Sequence, residues 1–181
     1  CALPICRKIF YNFNLNIIKL FLVFIGNNNF FSFKVSGEEL FLNKICNESP
    51  QLCIDVGANI GNYSKYILEN SKSNIIAFEP SKKSYQKLEK LKTKYNSRLF
   101  TFNLGLGDKI KNLNLYYDRQ NTQWANFNPE VNEIDYLRNN KLIEKCKVSK
   151  LDKIYSSNKK IFKNKVKLLK IDTEGYEYEV L

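Results

Sequence analysis

The chain has 181 residues, 29 of them Lys or Arg against 18 Asp or Glu, for a formal charge of +11; 44% are hydrophobic and 14% aromatic. That length supports one domain with a real core but not two comfortable ones, and the composition excludes collagen-like, wholly disordered and polytopic membrane chains. There is no His and no Met, which removes any imidazole base, Ser-His-Asp triad or His-rich metal centre.

The basic excess carries less meaning than its size suggests. Of the 29 basic residues 25 are Lys, while Asn occurs 24 times and Ala only four. Lys in place of Arg and Asn in place of Ala throughout the chain is a general residue bias, so the charge is not read as a nucleic-acid footprint. The cysteines, Cys1, Cys6, Cys46, Cys53 and Cys146, are odd in number, with no C-x-x-C pair. They read as reduced thiols of a cytoplasmic protein, and no metal is expected.

Residues 1–48 are expected to form an N-terminal accessory region. Its densest apolar run, Ile17 to Ile25, is broken by Lys19 and falls far short of the ~20 residues that cross a bilayer. It reads as a buried helix or strand, followed by a turn at Gly26-Asn27-Asn28-Asn29. The chain starts at Cys1, and Tyr176 to Leu181 read as a helix cut mid-pattern, so a fragment at both ends is expected.

From residue 49 a second region begins. Leu52-Cys53-Ile54-Asp55-Val56 predicts a buried parallel strand bounded by Gly57,. A helix over 61–70 is expected to use Tyr63, Tyr66, Ile67 and Asn70. Ile75-Ile76-Ala77-Phe78-Glu79 predicts a second strand, stopped by Pro80,. Ser81 then caps a helix with an inner stripe of Tyr85, Leu88, Leu91 and Tyr95 and six outward lysines between 82 and 94,. A third strand is predicted over Leu99–Leu104, turning at Gly105 and Gly107, and an edge strand over Leu113–Tyr117. The stretch from Asp118 to Asn140, with Trp124, reads as a loop or lid. A fourth strand over Val166–Asp172 leads through Thr173-Glu174-Gly175 into a helix. Strands and helices in this alternation make an α/β open sheet with parallel central strands.

Ligands of such a sheet bind at the carboxyl ends of its strands. Two glycines four apart in Asp55-Val56-Gly57-Ala58-Asn59-Ile60-Gly61 allow a tight turn and close backbone approach, with a helix N-terminus offering N–H groups to an anion,. Asp55 is placed to hold an ammonium group, and the competing reading is an ordinary strand-to-helix turn. Glu79, 24 residues on, is placed to accept both ribose hydroxyls. The G-x-x-x-G spacing does not suit a pyrophosphate, which wants G-x-G-x-x-G. A nucleoside bearing an amino-acid tail, S-adenosyl-L-methionine, suits it better.

DVGANIGNYS, FEPSKKSYQKL, NLGLGD, VSKLDKI and LLKIDTEGYEYEVL, in that order and spacing, resemble the FkbM-type family of S-adenosylmethionine-dependent class I methyltransferases, from about residue 50 to the end. The resemblance implies a Rossmann-like open sheet, here apparently truncated before its final strands, with the methyltransferase domain over 49–181. It places Asp55, Gly57, Ala58, Asn59 and Gly61 around the methionine part of the cofactor and Glu79 on the ribose. Leu106 and Asp108 fall beside the adenine, although Asp108 also reads as a turn residue. Asp172 borders the methyl group, with Glu174 next to it. The implied activity is O-methylation of a hydroxyl on a sugar, glycan or other natural product. With no His, Asp172 or Glu174 is the expected general base, ahead of Tyr176 or Lys170. Glu174 reads equally as charge compensation at a helix N-terminus. Trp124 and Phe127 are candidates for the acceptor pocket or for packing. The competing functions are a nucleic-acid methyltransferase, whose N-P-P-Y-like or D-P-P-Y-like motif is replaced here by Asp172-Thr173-Glu174-Gly175, and a non-catalytic nucleoside-binding domain. The expected partner is a small-molecule or glycan acceptor, with no membrane span.

Overall fold

The computed structural model describes residues 17–18, 37–48, 51–118, 125–128 and 141–181. The expectations for most of the 17–25 run, for the turn at 26–29, for Trp124 and for most of the 118–140 stretch lie outside them. The chain divides into two compact units, Cys1–Ile45 and Cys46–Leu181, and the architecture below is that of the second. Helix α1, Glu38–Asn47, runs across the division.

Four strands form one parallel sheet: β1 (Leu52–Val56), β2 (Asn74–Phe78), β3 (Leu99–Phe102) and β7 (Val166–Ile171), in the order β3-β2-β1-β7. The chain lays down β1, β2 and β3 outward on one side and then returns to place β7 on the other side of β1. The order reverses between β1 and β7, so the crevice opens there. β1 is buried at every position and β2 at four of five, which explains why both read as unbroken apolar runs. Leu52, Ile54, Val56, Ile76 and Phe78 pack on one face with Leu106 and Ile154. Cys53, Asp55, Ile75 and Ala77 are buried on the other.

Helix α2 (Asn62–Asn70) follows β1 and buries Ser64, Ile67 and Leu68, not the expected Tyr63 and Asn70: the inward face is turned by one position toward the strand end. Arg98 finishes this helix by donating to the carbonyls of Leu68 at 2.9 Å and Ser71 at 2.8 Å, filling acceptors that a helix end leaves unpaired. Helix α3 (Lys82–Lys90) starts at Ser81, whose hydroxyl accepts from Ser84 N. Leu88 is buried on α3, as is Tyr95 on the short α4 (Lys92–Tyr95), so the predicted stripe is the one used.

The third strand ends earlier than expected. Gly105 does not turn the chain but forms with Leu106 a short strand, β4; the turn follows it, over 107–110, and includes Gly107. β4 joins a second sheet of order β4-β6-β5, with β5 over Lys111–Asp118 and β6 over Lys141–Ser149. β6 pairs parallel to β4 and antiparallel to β5. This strand has no counterpart in the sequence reading, because its Lys-rich alternation carries only Cys146 and Val148 as buried residues. Helix α5 (Leu151–Ser157), a short 3-10 turn at Lys159–Phe162, and α6 (Glu177–Val180) complete the described elements. No helix among the described residues is long and apolar enough to cross a membrane.

Candidate active site

At the carboxyl ends of β1, β2 and β7 lies an open cleft. Its lining includes Gly57, Asn59, Glu79 and Pro80 after β1 and β2 and Asp172, Thr173, Glu174 and Tyr176 after β7.

The turn after β1 is closed by its own hydrogen bonds. The amides of Gly57 and Ala58 both donate to Phe78 O at 3.0 Å, and Gly61 N donates to Ala58 O at 2.9 Å. Gly57 has φ +76°, and a Cβ there would lie 1.9 Å from Asp172 O. Its glycine is therefore demanded by the approach of the chain leaving β7. Gly61, at φ +88°, instead clears Leu88 and Leu91, whose Cδ1 atoms would each lie 2.7 Å from an added Cβ. The second glycine serves helix packing, and neither Gly61 nor the buried Ala58 lines the cleft.

Asp55 also departs from its expected place. It is 2% exposed, its Oδ2 accepts from Ser64 Oγ at 2.7 Å, and Lys170 Nζ lies 3.2 Å from its Oδ1. Parallel register sets Asp55 directly beside Lys170, so the pair is a cross-strand one. A carboxylate held this way faces the interior of the protein, not a ligand's ammonium group. Lys170 also donates to Gly57 O at 3.2 Å and stands 3.4 Å from Asp172 Oδ2. Burial pulls its proton affinity down, but Asp55 and Asp172 more than offset that and raise it above the usual lysine value. Lys170 is a fixed cation that ties the β1 turn to the end of β7, which is no state for a general base.

Glu79 is 6% exposed. Its Oε2 accepts from Asn59 N and its Oε1 from Ser81 N, both at 2.8 Å. Asn59 reaches this position at φ +51° and accepts from Ser84 Oγ through its side chain at 2.9 Å. Each carboxylate oxygen has about two acceptor sites, so one on each remains for a pair of hydroxyls. Burial pushes the Glu79 carboxyl up to about 7, with the Asp55 charge adding to it; the two amides and Lys170 oppose.

Leu106 lines the cleft at 2% exposure. Asp108 does not: it points outward between Lys109 and Lys111, with ammonium nitrogens at 3.5 and 3.4 Å. Of its two readings the turn residue is the one this geometry matches.

The profile of the methyltransferase FkbM domain matches residues 55–181. The chain belongs to the FkbM methyltransferase family. Membership implies S-adenosylmethionine as the methyl donor. No curated protein and no solved structure matches the chain significantly.

The residues where β1 and β2 end fit that donor in their chemistry: a positive-φ turn at Gly57 and Asn59 and a buried Glu79 carboxyl with acceptor capacity to spare. At the end of β7, Asp172 and Glu174 both line the cleft. Asp172 has a 61% exposed side chain. The Glu174 carboxyl is pushed above the usual carboxylate range by burial, then by the charges of Asp172 and Glu177, against the pull of Lys170. Phe127 and Tyr176 meet edge to face at 5.1 Å along the same cleft. Gly105 and Gly107 leave the room these rings occupy: added Cβ atoms would lie 3.2 Å from each of them. Glu177, Lys170 as a fixed cation and Leu115 stand at or beside the cleft and were not assigned in the sequence reading, which named Phe127 and Tyr176 but not the contact between them. Only the register of β1 against β7 reveals the Lys170 pairing.

Proposed function

We propose that the chain is an S-adenosylmethionine-dependent O-methyltransferase acting on a hydroxyl of a sugar, glycan or other natural product. The observation that carries this reading is that one cleft is lined both by the buried Glu79 carboxyl and by the carboxylates of Asp172 and Glu174. When bound, the cofactor supplies an electrophilic methyl group on a sulfonium. The chain's part is to hold and to deprotonate. Glu79, braced by Asn59 N and Ser81 N, accepts the ribose hydroxyls. Gly57, Asn59 and Leu106 shape the wall for the rest of the cofactor. Glu174 takes the proton of the acceptor hydroxyl, and its raised proton affinity brings a carboxylate closer to what a neutral-pH base requires. Asp172, beside the Lys170 cation, holds a negative charge in the same cleft. Positioning the acceptor for in-line approach supplies a large share of such an acceleration.

Three described cysteines, Cys46, Cys53 and Cys146, are buried and free. Burial raises the Cys53 and Cys146 thiols to about 11 and about 12, which keeps them inert as nucleophiles and suits a reducing, cytoplasmic setting.

Calorimetry with S-adenosylmethionine followed by methyl-transfer assays on glycans tests the reading. Glu174→Gln is expected to lower the transfer rate by about 10²–10⁴-fold with cofactor affinity unchanged. Full transfer rates in both Asp172→Asn and Glu174→Gln would remove the carboxylate-base role. Binding without any turnover would favour a non-catalytic nucleoside-binding domain.

A further inference from the structure

We infer that Glu177 is a positioning residue of this site: its carboxylate holds the Thr173–Gly175 turn in the one conformation that presents Glu174 to the cleft. The inference rests on the methyltransferase reading of Glu174.

After β7 the pairing with β1 continues through Asp172 N, which donates to Val56 O at 3.0 Å. The chain then reverses with two consecutive residues in the left-handed region, Glu174 at φ +53° and Gly175 at φ +97°. A Cβ on Gly175 would meet nothing within 4 Å, so its glycine is there for the backbone angle and not for space. Glu174 has no such freedom, because its Cβ crowds the following carbonyl in the left-handed region. Something must hold it. Glu177 Oε1 accepts from Thr173 N at 2.8 Å and Thr173 Oγ1 at 3.1 Å, and Gly175 N donates to Oε2 at 3.0 Å. Donors on both sides of Glu174 thus converge on one carboxylate, and Glu174 is the residue between them. Glu177 itself does not line the cleft, so it acts through the turn.

The charges agree with this role. Glu177 is held below the usual carboxylate range although burial works against it, because the amides of Glu177, Thr173 and Gly175 donate to it. It therefore stays ionised, and its charge is one of those that keep the neighbouring Glu174 protonated to higher pH.

The test follows the titration of the Glu174 side chain by carbon-detected NMR in the full chain, beside calorimetry with S-adenosylmethionine. In Glu177→Gln, which keeps the shape and one acceptor but not the charge, the Glu174 midpoint is expected to move down. The melting temperature and cofactor affinity should remain near those of the unsubstituted chain. In Glu177→Ala the midpoint should also move and the amide signals of Thr173, Glu174 and Gly175 should broaden. Amide signals of Thr173, Glu174 and Gly175 in Glu177→Ala that match those of the unsubstituted chain would overturn the inference, whatever the variants do to stability or to the Glu174 midpoint, since loss of the Glu177 charge alone moves that midpoint. Absence of cofactor binding by the unsubstituted chain is a separate failure, that of the methyltransferase reading, and it leaves the amide comparison decisive for Glu177.

Discussion

At the level of single residues the site is governed by carboxylates in unequal surroundings. Glu79 sits almost wholly out of water with a midpoint of about 7, against about 4.3 for an unperturbed Glu. Between those two values the folded chain keeps a proton that the unfolded chain has lost, so this group makes folding less favourable as pH rises through that window. Cofactor binding should respond in the opposite sense, because the ionised carboxylate is the better acceptor for ribose hydroxyls. S-adenosylmethionine affinity is therefore expected to rise as pH passes through about 7, and Glu79→Gln should lose that trend; the same pH profile in the variant would remove Glu79 from ribose recognition. Lys170 gives a second prediction. Removing one partner of a buried pair costs about 3–5 kcal/mol, and Lys170→Met would leave the 2% exposed Asp55 without its cation. Urea unfolding should show a loss of that size, with part regained in Asp55→Asn combined with Lys170→Met. A loss under about 1 kcal/mol would mean that the pair is not a clamp.

Among the elements, the strand ends do most to shape the cleft, and they were the most legible part of the sequence. β1 and β2 are short apolar runs stopped by Gly57 and Pro80, and burial on both faces leaves such runs little choice of structure,; β7 is exposed or half-buried along its length and was legible from its run of Val, Leu and Ile ending at Asp172. The 3.6-residue stripe of Tyr85, Leu88 and Tyr95 identified α3 and α4 for the same reason. β6 was not legible, because a strand that buries only Cys146 and Val148 and shows Ile143, Lys145 and Lys147 to solvent lacks an apolar signal. The roles of the two glycines were not legible either: spacing shows that a turn is present but not what approaches it. The structure separates them by consequence. Gly57→Ala drives a Cβ into the Asp172 carbonyl, which is backbone and cannot give way, whereas Gly61→Ala meets the movable tips of Leu88 and Leu91. Thermal and urea unfolding should show a loss of roughly 3 kcal/mol or more for Gly57→Ala, or failure to fold, and about 1–2 kcal/mol for Gly61→Ala. Equal losses would mean that the β7 end does not close on the turn as described.

For the unit Cys46–Leu181 as a whole, the +11 charge of the chain is not what builds the cleft. The six lysines of α3 and α4 and Lys145 and Lys147 of β6 lie on or near the surface, and the proposed cofactor contacts, Gly57, Asn59, Glu79 and Leu106, include no basic residue. The missing histidines matter more, since they direct the proposed proton transfer to Asp172 and Glu174. Asp55 shows the limit of position-by-position reading: its place at the strand end fitted a ligand contact, yet register with Lys170 turned it inward. A ligand that binds only the folded chain stabilises it by about 2.7 kcal/mol at 100 times its dissociation constant, so binding and stability report on the same cleft. The most direct measurement is calorimetric titration of the unsubstituted chain and of Glu79→Ala with S-adenosylmethionine. Saturable one-site binding to the former, with a matching rise in melting temperature, and loss of both in the latter are the predicted results. No heat and no thermal shift in the unsubstituted chain, or undiminished binding in Glu79→Ala, would contradict the cleft's assignment as the cofactor site.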